Sequence, residues 1–413
     1  MRPDLILRNA RISGREPQTF DIAIADGCIG AIADGIAADA PAEDLGGRLV
    51  VPGFVETHIH LDKSCILDRC QAGGTLQEAI AEVTALKRSF SEDDIYERAR
   101  RTLEKAILQG TMRMRTHVEV DPRVGLRGFR AIRRLKRDYA WAIDIEICVF
   151  PQEGLLNDPG AEELLIAACE QGADLIGGCP YTDSDPHGQI ARIFAIAKRF
   201  DRDVDFHLDF DLDPSQMNLD EVCRRTEAER WGGRVTVGHV TKLSALEPER
   251  FAAAARRLAE AGVAVTVLPA TDLYLMGRGH DHDVPRGVTA AHRLLDHGVV
   301  CSIATNNVLN PFTPFGDCSL IRMANLYANV AQVGSPAELA SCLDMVTALP
   351  AKLMNAKDYG LRVGNPADLV ALDCADAVSA VTELARPLFG IKRGRRTFVC
   401  PPARLLRDAD GAS

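Results

Sequence analysis

The stretch VPGFVETHIHLDKS, residues 51 to 64, decides how the rest of the chain is read. An apolar run, Val50-Val51-Pro52-Gly53-Phe54-Val55, ends in His58-Ile59-His60, so two of the chain's ten histidines stand one residue apart at the end of a strand-like segment. Along a strand, residues i and i+2 face the same side, and both imidazoles therefore point the same way. Two neutral imidazoles at that spacing make adjacent metal ligands.

Outward from this stretch one pattern recurs between residue 50 and about residue 355: a short β-rich apolar run, a turn, then a segment with apolar residues three and four apart. Eight strand candidates stand out: LVVPGFVETH (49–58), TMRMRTHVEV (111–120), WAIDIEICVF (141–150), ADLIGGCP (173–180), DVDFHLDF (203–210), RVTVGHV (234–240), VAVTVLPA (263–270) and VVCSIATNN (299–307). Helix-like segments such as TLQEAIAEVTALKRSF and PERFAAAARRLAEA lie between them. Nearly continuous apolar strands alternating with helices imply parallel strands buried on both faces. Eight such units predict a (β/α)8 TIM barrel over residues 51–359. The ends differ from the middle. LILRNARI and FDIAIADGCIGAIADG in residues 1–50, with GLRVGNPADLVALD and FGIKRGRRTFV in residues 360–400, read as strands joined by turns. They predict a small β-sandwich-like domain built from both termini, followed by a loose tail over 401–413.

A net charge of −10 excludes nucleic acid or an anionic membrane as the main partner, because both require a basic surface. No apolar run is long enough to span a bilayer, and the charged start MRPDLILRNARISG is no secretory signal. The twelve cysteines are scattered singly, which reads as reduced, buried thiols of a cytoplasmic protein.

In such a barrel the chemistry sits at the C-terminal strand ends. His58 and His60 end the first strand, His117 the second and His239 the sixth, and His207 lies near the end of the fifth. His207 can supply a third ligand from across the barrel. His187, His292 and His297 fall in loops or helices.

With these residues placed, the chain resembles the amidohydrolase superfamily of metal-dependent hydrolases, and within it the branch of cytosine deaminase and the N-isopropylammelide amidohydrolases. The likeness is carried by PGFVETHIHLDK, RTHVEVD (115–121), FPQEGLL (150–156), GADLIGG (172–178), GRVTVGHVT (233–241) and NNVLNPFTPFGD (306–317). It implies that His58, His60 and His207 bind one divalent metal, zinc first, with iron or manganese as alternatives. It implies that His239 polarises the attacking water and that Gln152 reads the amide edge of a pyrimidine-like ring. Two positions depart from the branch. Asn306 stands where cytosine deaminase has an aspartate that ligates metal and shuttles a proton, and Phe210 where it has a proton-donating glutamate. An amide oxygen can ligate metal but cannot take a proton from water near neutral pH.

Another base is then expected among His239, Asp209 and Asp272, while His280, His282 and Asp283 read as a solvated loop. Phe150, Leu275 and Phe312 are expected to wall a flat ring, with Asn307 and Gln152 at its edges. Lys63 reads as a surface or substrate-loop lysine rather than a carbamylated metal bridge. The expected activity is hydrolysis of a C–N bond in a small aminated heterocycle by a homo-oligomeric enzyme. The alternatives are ring opening of a cyclic amide, or a ligand-binding relative with impaired catalysis.

Overall fold

Pro52-Gly53 interrupts the apolar run, and the interruption separates two sheets. The computed structural model describes residues 2–71, 73–403 and 405. It places Leu49–Pro52 in one sheet and Phe54–Ile59 in another, so the single strand expected over 49–58 is two strands. Gly53 is required at the crossing, because a Cβ there would lie 2.7 Å from Cβ and Cγ of Met112.

Phe54–Ile59 is the first of eight strands in one sheet; the others are Thr111–Glu119, Asp144–Phe150, Leu175–Gly178, Asp203–Leu208, Val235–His239, Val263–Val267 and Cys301–Ile303. Each pairs in parallel with its neighbours in sequence. A bridge between Ile59 and Asn306 joins the first strand to the chain just past the eighth. Asn306 N–H donates to the His58 carbonyl (2.8 Å) and His60 N–H donates to the Asn306 carbonyl (2.9 Å), closing the (β/α)8 barrel. The seventh strand stops at Val267 because Pro269 opens the short helix Pro269–Leu275, where its missing N–H has no partner to lose.

The outer helices follow their sequence signals. Ser91 accepts the Asp94 N–H to start Glu92–Leu108, and three acids, Glu92, Asp93 and Asp94, occupy the first turn, where the helix dipole favours them. Pro248 opens Pro248–Ala261, and Gly262 ends it in the left-handed region. Among the described residues no helix is long and apolar enough to cross a membrane.

The second sheet draws on both termini, in the order Arg395–Val399, Pro387–Lys392, Leu369–Leu372, Leu49–Pro52, Leu5–Ile12, Thr19–Ala25 and Cys28–Ala33, with Ala42–Asp44 beside Leu5–Ile12. Leu7, Ile22, Val50, Leu369 and Phe389 share its core. Lys392 ties this sheet to the barrel. Its buried ammonium reaches Asp144 of the third barrel strand (2.6 Å) and Asp368 (2.7 Å). Of the expected tail, residues 404 and 406–413 lie outside the described residues.

Candidate active site

Strand alternation turns His58 and His60 inward and Ile59 outward, and all three are buried. His58 Nε2 and His60 Nε2 each lie 3.1 Å from Nε2 of His207, which arrives from the fifth strand. Gly238 makes room for this cluster, since a Cβ there would stand 3.1 Å from the His58 ring. Burial, then the neighbouring positive groups, push the three imidazoles well below their ordinary pKa. They are therefore neutral, which is the ligating form. Nδ1 of each has no hydrogen-bond partner, and three converging Nε2 atoms cannot all satisfy one another. A divalent cation at their meeting point resolves that conflict, so these residues fit a metal.

His117 lies against the cluster. Its ring stacks on His58 with centroids 3.8 Å apart, and neither of its nitrogens has a hydrogen-bond partner. One nitrogen each from His58, His117 and His207 also lies within 4.8 Å of the others, so the second strand brings a fourth imidazole to the same place. The nearest acid to His117 is Asp205, at 3.5 Å from Nε2.

On the sixth strand, His239 Nδ1 is 2.6 Å from Oδ1 of Asp272, in the helix Pro269–Leu275. Burial raises the Asp272 carboxyl, and His239 draws it back toward the charged form. The His239 ring centroid is 5.6 Å from that of His207. Phe210 stacks on the His239 ring with centroids 3.7 Å apart and also lines a cavity of about 290 Å³ with Thr75, Leu212, Leu275 and Met276.

Asp209 is not brought to this group. Its carboxylate accepts the backbone N–H groups of Asn218 (2.9 Å) and Leu219 (3.1 Å), at the start of the helix Leu219–Ala228. Asp209 is two residues from His207, but the strand ends at Leu208 and Asp209 has φ 49°, so the alternation that would align the two no longer applies. His282 lies 84% exposed in the loop expected to be solvated.

Asn306 and Asn307 are buried beside the cluster, in a chain of amides. Asn307 Nδ2 donates to Asn306 Oδ1 (3.0 Å), and Asn310 Nδ2 donates to Asn307 Oδ1 (2.7 Å). Asn306 Nδ2 is buried without a partner. Phe150 stacks on His207 with centroids 4.5 Å apart. Gln152, Phe312 and Leu275 are buried.

Lys63 lies in the turn after the first barrel strand, as a substrate-loop lysine would, but it is not a surface lysine. It is 2% exposed, and its ammonium donates to Glu119 Oε1 (2.7 Å) and Gln152 Oε1 (3.1 Å), 4.3 Å from the centroid of Phe312. Glu119 Oε2 accepts from Lys87 (2.7 Å), which also meets Asp121 and Glu153 at 2.5 Å. Burial alone would raise the Glu119 carboxyl, but the two ammonium groups outweigh it and hold it at about 2. Sequence reading weighed Lys63 but passed over Glu119 and Lys87. One signal was present, because Glu119 stands two residues after His117 and so shares its face of the second strand.

Together these groups offer an imidazole cradle for a cation, an imidazole–carboxylate pair beside it, and a buried ammonium near the rings of Phe150 and Phe312. That set is suited to hydrolysis. The chain is 27% identical to N-isopropylammelide isopropyl amidohydrolase of Pseudomonas sp. (strain ADP), over 95% of this chain and 96% of that protein. It is 29% identical to pterin deaminase of Rhizobium rhizogenes, over 85% of this chain and 81% of that protein. A crystal structure of 5-methylcytosine deaminase from Klebsiella pneumoniae, liganded with 5-fluorocytosine, superposes with a TM-score of 0.93 at 30% identity, covering 98% of this chain and 100% of that one. The sequence pattern of the amidohydrolase family matches residues 42–143 and 129–398, and the chain belongs to that family.

Proposed function

We propose that this amidohydrolase cleaves a C–N bond on a ring carbon of a flat nitrogen heterocycle, releasing ammonia or an amine. The observation that carries the reading is the His239–Asp272 pair (2.6 Å) set beside three converging imidazole nitrogens. The relatives that act on ammelide, pterin and methylcytosine rings support the substrate class. One divalent ion, zinc by the preference of three imidazoles with iron or manganese as alternatives, would be held by His58, His60 and His207 and would supply an acidified water.

The rest of the chemistry belongs to the side chains. Asp272 fixes the proton on His239 Nδ1, leaving Nε2 free to take a proton from the attacking water and pass it to the departing nitrogen. Asn306 cannot serve as that base, and Phe210 cannot protonate the ring. His239 therefore carries both transfers. Phe150 and Phe312 hold the ring by its faces, and Gln152, Asn307 and Lys63 hold its edges.

The test is a panel of aminopyrimidines, aminotriazines, pterins and hydantoins, run on protein loaded with zinc, iron or manganese, with detection of ammonia, amine and new carboxylate. Ammonia or amine release is the expected result. Both His239→Ala and Asp272→Asn should lose about a hundredfold or more in kcat while keeping their metal content. A new carboxylate with no amine would move the reading to ring opening. Full turnover in both variants would remove the dyad from the chemistry.

A further inference from the structure

We infer that Thr289, which lies outside the group of reacting side chains, positions His239 for reaction by holding the chain at Val240 in a left-handed turn. The inference rests on the reading of His239 as the proton carrier and adds what brings its imidazole to the barrel mouth.

Strand alternation by itself would keep His239 out of the mouth. Arg115 of the second strand reaches Asp205 of the fifth (2.9 Å) and Thr236 of the sixth (3.4 Å), a crossing that only the barrel interior allows. Thr236 therefore faces inward, and so does Gly238 two residues on, against the His58 ring. His239 pairs with Leu208, and Leu208 packs with Val235 and Val237 in the apolar core that the strands share with the outer helices. By register His239 belongs on that outward face. Its ring centroid nevertheless lies 5.6 Å from that of His207 and 5.8 Å from that of His58. The backbone makes the difference. At His239 φ is 68°, where an extended strand would continue at negative φ, and the side chain is carried round to the mouth.

The turn continues through Val240, at φ 43° and ψ 40°. Left-handed backbone is a genuine outlier for a β-branched residue, and such residues persist only where their surroundings over-determine them. Here the surroundings do so. The Val240 N–H donates to the Leu208 carbonyl (3.0 Å), and the Val240 carbonyl accepts the Leu243 N–H (2.9 Å) and the Thr289 hydroxyl (2.8 Å). The valine side chain is buried in the same core as Leu208. Thr289 is the one of these partners that comes from beyond the neighbouring strand and the turn itself. It is buried between the seventh and eighth strands, and among the described residues the Val240 carbonyl is its hydroxyl's one partner. Without that hydroxyl the turn can relax toward ordinary strand angles, which swings His239 away from Asp272 and from the three ligating imidazoles.

The His239 Nδ1 proton, held on Asp272 at 2.6 Å, resonates downfield of the amide protons and reports the place of the imidazole without any turnover. On zinc-loaded protein it is assigned as the downfield signal lost in His239→Ala. In Thr289→Val, which keeps the side-chain shape and drops the hydroxyl, the signal should move upfield or broaden; in Thr289→Ser it should return to its wild-type position. With the panel ring that turns over, kcat should fall about tenfold in Thr289→Val at unchanged zinc content, with KM altered less than about twofold. Val240→Gly removes the penalty for left-handed backbone, so adding Thr289→Val within that background should cost about twofold or less in kcat. A full tenfold cost there would overturn the inference. So would an unmoved signal in Thr289→Val, or a lowered Tm with kcat intact, either of which reduces Thr289 to a structural contact and leaves the hydrolase reading standing. Thr289→Ala gives the same decision if Thr289→Val does not fold. Absence of turnover across the whole panel would sink the heterocycle reading, and the proton signal would still decide the role of Thr289.

Discussion

Asn306 serves the backbone and the site at once. Its N–H and carbonyl close the barrel against His58 and His60, at a φ of 65° that asparagine tolerates better than most residues. Its side chain holds one end of the amide chain and leaves an N–H free. An aspartate would keep the shape and the backbone role, and would exchange that free donor for an anionic ligand. Asn306→Asp is therefore expected to raise the metal content of purified protein, measured by elemental analysis, because a carboxylate binds a divalent ion more tightly than an amide oxygen. Unchanged occupancy with lower turnover would show that the amide has a role of its own rather than standing in for a lost ligand. Much of this centre was legible residue by residue: His58, His60 and His207 follow from period-two alternation and strand ends, and Asn306 from the resemblance, which sets it where cytosine deaminase has an aspartate. Lys63 was not, because it lies in the turn after a strand, where no periodicity says which way a side chain points.

Among the elements, the fourth barrel strand shows how little room the interior leaves. A Cβ on Gly177 would overlap the Asp205 carbonyl oxygen of the next strand and come within 3.1 Å of the Cys148 sulfur. A backbone atom cannot step aside as a flexible side chain can. Gly177→Ala should destabilise the fold by about 1–3 kcal/mol, read as a lowered urea midpoint at an unchanged m-value. No loss of stability would mean that the fifth strand can shift, and with it His207. Strand number and order were legible because each strand carries its own apolar run. Boundaries were less so, since the run over 49–58 continues across a change of sheet and the run over 263–270 continues into a helix. Asp209 marks the same limit at a strand end, where one residue at positive φ breaks the alternation that would otherwise align it with His207.

At the scale of the whole molecule, two buried charge groups hold separate parts of the chain together. Lys392 joins the terminal sheet to the barrel through Asp144, and Lys87 joins the segment after the first barrel helix to the second and third strands through Glu119, Asp121 and Glu153. The Glu119 carboxyl lies at about 2 in the folded chain against an ordinary value of 4.5. A folded pKa below the unfolded one stabilises the fold above the unfolded value, and that contribution is lost as pH falls from there toward about 2. Asp144, also lowered despite its burial, acts in the same direction. Thermal unfolding followed from neutral pH downward should therefore show Tm falling most steeply below about 4.5. Glu119→Gln should start lower and fall less steeply; an identical slope would place the acid sensitivity elsewhere. The hydrogen bonds between His58, His60 and Asn306 also bear on how the protein matures. They join the first barrel strand to the chain just past the last, so a ribosome still translating the eighth strand displays His58 and His60 with no closed ring around them. Metal acquired at that stage would be held loosely and open to exchange. A metal held as proposed would be secured only once the final strand docks, which would place its capture late in the maturation of the nascent chain.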